Sequence, residues 1–97
     1  MTPKLPISES ALQNAIGEAV TAHQGMIFLM AGNSSQKRAR GEDVTELTDM
    51  IFTQQRVVEA LLDILRAEGD PVYLKALEDS FPRLQAEAAK KLVDQQK

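Results

Sequence analysis

Residues 44–65 read VTELTDMIFTQQRVVEALLDIL. Val44, Leu47, Ile51, Gln54, Val58, Leu61 and Leu65 recur at alternating steps of three and four, the spacing of a helix that packs lengthwise on another helix. A matching seam lies upstream at Leu12, Ile16, Ala19, His23, Met26 and Met30. Folded as an antiparallel hairpin, the two seams pair in one register: Met30 with Leu47, Met26 with Ile51, His23 with Gln54, Ala19 with Val58, Ile16 with Leu61 and Leu12 with Leu65. The single polar layer of each helix then meets that of the other. His23 facing Gln54 reads as a buried polar pair that fixes alignment at some cost in stability. A pH switch at this position would need a carboxylate on the same face, and there is none.

Around this hairpin the expected element boundaries follow from cap and stop chemistry. Residues 1–7 hold Pro3 and Pro6 and are expected to be extended. Ser8 suits an N-cap, with Ile7 and Leu12 at the staple positions. Helix 1 is expected over residues 9–31, stopped by Gly32-Asn33. Residues 33–42 form a polar loop holding Lys37, Arg38 and Arg40. Asp43 through Glu46 has capping-box spacing, and helix 2 is expected over residues 44–68. Gly69 stops it, Asp70-Pro71 restarts the chain, and helix 3 is expected over residues 71–95, kinked near Pro82. The fold class is therefore all-α, a long hairpin plus a kinked third helix in a single domain.

Helix 1 has more apolar surface than one partner helix can use. Between Leu12 and Ala31 its only charged residue is Glu18, and stripes at Ala15/Ala22/Leu29 and Val20/Ile27 flank the seam, with Phe28 as well. A helix of this kind is buried on most sides. Helix 2 likewise carries Met50, Val57 and Ile64 at seven-residue spacing. With helix 3 covering one flank, the remainder points to an interface. We expect a homodimer built around helix 1, with Val20, Gly25, Ile27, Phe28, Met30 and Met50 at the contact. Met26, Met30 and Met50 read as core filler, a flexible binding surface being the alternative.

Composition narrows the function. The chain has 97 residues, 43% of them hydrophobic and 26% charged, with a net charge of −3 and no cysteine. Disulfides, thiolate metal sites and thiol catalysis are thereby excluded. One histidine on an apolar seam supplies neither a nucleophile–base pair nor a metal site, and no phosphate-binding glycine loop is present. No catalytic residue, metal or cofactor is expected. Nor does the charge balance suggest nucleic acid: Lys37, Arg38 and Arg40 are the best candidate cluster, and residues 71–80 (PVYLKALEDS) lack the Arg, Asn and Gln that read bases. The N-terminus has no apolar core of the signal-peptide kind and the most apolar run, residues 25–32, is too short for a bilayer, so a cytoplasmic location is expected. The reading is a non-enzymatic interaction protein acting as a homodimer, such as an adaptor, assembly factor or chaperone; the alternative is a nucleic-acid-binding regulator that uses the basic loop.

Overall fold

The computed structural model describes residues 9–95, with side chains from 11 to 94. The expected extended segment, Ser8 cap and Ile7–Leu12 staple lie outside the described residues. The protein is all-α: α1 is Glu9–Ala39, α2 Thr45–Glu68, α3 Pro71–Asp79 and α4 Phe81–Gln95. No helix is long and apolar enough to cross a membrane among the described residues.

α1 runs two turns beyond the expected stop. Gly32-Asn33 lies inside the helix, because Gly32 serves packing: a Cβ there would strike the Leu92 side chain of α4. The true stop is Arg40-Gly41. Gly41 takes the left-handed φ of 78°, its N–H donates to Arg38 O at 3.0 Å, and the Glu42 N–H donates to Lys37 O at 2.9 Å. That pair of bonds is the Schellman closure, which needs a residue without a Cβ penalty at this place. Most of the expected basic loop is therefore helix, and the connection to α2 is short.

α2 starts one residue later than a box capped by Asp43 requires. Val44 occupies the N-cap position without a side-chain cap bond. Asp43 reaches past it, accepting from the Thr45 N–H at 2.9 Å and the Thr45 hydroxyl at 2.7 Å. These two donors hold the Asp43 carboxyl below its usual range, the hydroxyl contributing most.

α1 and α2 run in opposite directions. Gln13 near the start of α1 accepts from the Asp70 N–H just past the end of α2, at 2.6 Å, while His23 meets Gln54 further along. Asp70 also caps α3, accepting from the Val72 N–H at 2.9 Å with Pro71 at the first helical position. Gly69 fits this turn closely. A Cβ there would lie 2.6 Å from Leu65 O and 3.1 Å from Gln13 Oε1. Gly69→Ala is thus expected to destabilise by about 1–3 kcal/mol, as overpacking against backbone does; a urea midpoint equal to that of the unmutated chain would contradict it.

The expected single third helix is two. Ser80 separates them with near-helical angles (φ −79°, ψ −16°), and its hydroxyl donates to Leu77 O at 2.6 Å. Pro82 then falls in the first turn of α4, where its missing N–H has no helical acceptor to serve. The break lets α4 return along α1 in the same direction, with Leu92 against Gly32. α1 is thus the middle helix, with α2 on one flank and α4 on the other. α3 closes one face of this layer, Tyr73 lying over Gly17. The main core joins Val20, Ile27 and Met30 to Val58, Leu62, Leu65 and Leu77, with Leu74 and Phe81 packed against it. Leu62, outside the seven-residue seam read from the sequence, is 4% exposed.

Candidate functional site

The return of α4 changes which residues are available for contact. Val20, Ile27 and Met30, three of the expected interface positions, are 0%, 4% and 8% exposed within the single chain. They are core, covered by α2 and by the segment from α3 into α4. Phe28 is half-buried beside α4, near Gln85, Ala89 and Leu92. Of the expected set, only Gly25 and Met50 face open space: a Cβ on Gly25 would meet nothing within 4 Å, and Met50 is 51% exposed.

The open surface lies on the face of the layer opposite α3. Gly17, under Tyr73, and Ala22 or Met26 lie on opposite sides of α1. On the open side, Leu12 and Ile64 line one cleft of about 220 Å³ with Ile16 and Leu65, and both are 47% exposed. In the hairpin register Val57 falls at the height of Val20 and Met50 at the height of Ile27, each within one residue of Ala19 and Met26. Met26, also 47% exposed, borders a second groove of about 370 Å³ between α1 and α4. Ala22, Gly25 and Leu29 line its α1 side, and Leu84 and Ala88 its α4 side, with Glu87 and Lys91 at the rim. The result is a largely apolar face: a ridge of Met50, Val57 and Ile64 on α2, a floor on α1, and a groove beside α4, with Gln13 and Glu68 at the end of the first cleft. Among the described residues, the exposed apolar side chains Leu12, Met26, Met50 and Ile64 gather here, whereas Phe52, Val72 and Val93 are exposed outside this set; gathering on one face is what distinguishes a contact surface from scattered side chains.

The sequence placed Leu12 and Met26 on the core seam. Met26, three residues from His23, lies about 60° round the helix from it at 3.6 residues per turn, toward the open side, and Leu12 lies in the last layer of the hairpin, near the end of α2. The Met50/Val57/Ile64 spacing was the visible signal for the ridge.

His23 and Gln54 lie across from each other, with His23 Nδ1 2.5 Å from Gln54 Oε1. Both are half-buried. Oε1 can only accept, so the contact requires the imidazole to carry its proton on Nδ1. This pair joins α1 to α2 at the one polar layer of each seam. Removing one partner leaves the other short of a bond, whereas removing both does not. His23→Leu or Gln54→Leu alone is expected to cost about 1–3 kcal/mol more than the double substitution. Additive effects of the two would show that the bond fixes nothing.

The basic cluster is split. Lys37 and Arg38 are exposed on the last turn of α1, where they suit the helix dipole. Arg40 is in the turn and pairs with Glu42 at 2.6 Å. Among the described residues no group of three or more His, Cys, Asp or Glu side chains could hold a metal ion. Comparison of the chain with known protein families, curated proteins and solved structures finds no match.

Proposed function

We propose that this protein is a non-enzymatic interaction module that works as a homodimer through the open face of its α1–α2–α4 layer. The observation that carries the reading is the alignment of Leu12, Met26, Met50 and Ile64, each about half exposed, on one side of a three-helix layer. Size supports it. A compact chain of 10.7 kDa is expected to have about 5,500 Å² of surface, and this one has 7172 Å². Its radius of gyration is 16.4 Å, against about 12.5 Å for a compact domain of this length. A standard interface takes about 800 Å² from each partner. Burying a face of that size against a second copy brings the chain nearer the economy of an ordinary globular protein.

Nucleic acid fits this surface poorly. The open face holds few cations, and of the basic cluster Arg40 is paired with Glu42, leaving Lys37 and Arg38 at the end of α1 as too small a cluster for phosphate binding. The test is association itself, read by sedimentation for the unmutated chain and for variants with a carboxylate on the open face. A mobility-shift titration against duplex DNA and RNA at moderate salt is expected to show no binding. Binding that disappears on removing Lys37 and Arg38 would favour the regulator reading instead.

A further inference from the structure

The open face is built as a ridge beside a groove, and we infer that two copies join by placing the α2 ridge of each in the α1/α4 groove of the other, about a two-fold axis parallel to the helices. This rests on the homodimer reading above and adds its geometry. A two-fold axis across the helices would stack α2 on α2 and α4 on α4, ridge on ridge and groove on groove. An axis along the helices exchanges the flanks instead, so that each ridge meets a groove and the contact is self-complementary. Such an axis also preserves height along the helices, which fixes the partners. Met50 lies at the height of Ile27, within one residue of Met26, which borders the groove. The Met50 side chain of one copy therefore enters the notch at Gly25 of the other. The notch exists because Gly25 has no side chain and no neighbouring atom fills the space. A flexible thioether suits such a cavity.

Charge supplies an independent mark of the same arrangement. The contact of Gly32 with Leu92 and the groove lining set Lys91 at the height of Ala31 on one flank of α1. The hairpin register sets Glu46 at that height on the other flank. Both are exposed, and among the described residues neither takes part in an ion pair within the chain. Exchange of the flanks brings Glu46 of each copy beside Lys91 of the other, at two symmetric places on the rim. An axis across the helices makes no such pair.

The test is a charge swap together with filling of the notch, read by sedimentation equilibrium with helicity checked by circular dichroism. Glu46→Lys and Lys91→Glu each place like charges together twice per dimer and are expected to weaken association about tenfold at low salt. The double variant Glu46→Lys/Lys91→Glu restores both pairs and is expected to associate within about threefold of the unmutated chain. Gly25→Leu keeps the single chain helical, since its side chain enters open space, and is expected to abolish the dimer at micromolar concentration. Single reversals without effect, a swap as weak as its parents, or a Gly25→Leu chain that still dimerises would each overturn the arrangement while leaving a dimer of another geometry. A monomeric unmutated chain would overturn the homodimer reading itself, and this arrangement with it.

Discussion

Replacing Leu65 with alanine is expected to destabilise the chain by about 2–5 kcal/mol, the range for a fully buried leucine whose site cannot collapse. Leu65 is 2% exposed and sits where three constraints converge. It belongs to the core cluster with Val20, Val58, Leu62 and Leu77. Its carbonyl accepts from the Gly69 N–H at 2.8 Å, so the backbone cannot move into the space left behind without opening the α2–α3 turn. That turn is tied to α1 by Gln13. A urea titration should show a lower midpoint with an unchanged slope. Arg38→Ala, on an exposed turn, should stay within about 0.5 kcal/mol of the unmutated chain. An equally small effect at Leu65 would mean that the core lies elsewhere.

The second large effect concerns association. Met26→Asp and Ile64→Asp put a carboxylate at positions that are 47% exposed in the single chain, so the folded chain keeps the charge in water. In the proposed dimer the same charge loses water without gaining a partner. A cost of about 3 kcal/mol or more is expected, equivalent to a dissociation constant raised at least about a hundredfold. Ile27→Asp is different. Ile27 is 4% exposed within the chain, so its carboxylate disrupts folding and reports nothing about assembly. Substitutions on the open face that left association intact, with the helices still formed, would move the contact off this face.

The parts of the fold legible in the sequence are those set by long, repeated signals. The all-α class follows from apolar spacing sustained over several turns in each segment. The position of His23 opposite Gln54 was readable because each seam has one polar layer, and an interior hydrogen bond favours bringing the two together. The helix ends were less legible. Gly32-Asn33 has the composition of a stop, yet glycine in a helix also marks close packing, and only the arrival of Leu92 tells the two uses apart. Arg40-Gly41 offered the same local signal without an apolar neighbour to single it out. The chain direction after Ser80 was the decisive gap. Leu84, Ala88 and Leu92 recur at steps of four along α4, but which surface they cover depends on the two backbone angles at Ser80. Once α4 lies on α1, Val20 and Ile27 become core. The surface left for contact shifts to Leu12, Met26, Met50 and Ile64.

The most direct measurement of the central claim is sedimentation equilibrium on the unmutated chain at micromolar concentration and moderate salt. The open apolar face predicts a single species at twice the 10.7 kDa chain mass, shifting toward the monomer in the Met26→Asp chain. A well-folded unmutated chain that sediments at 10.7 kDa across that range would contradict it.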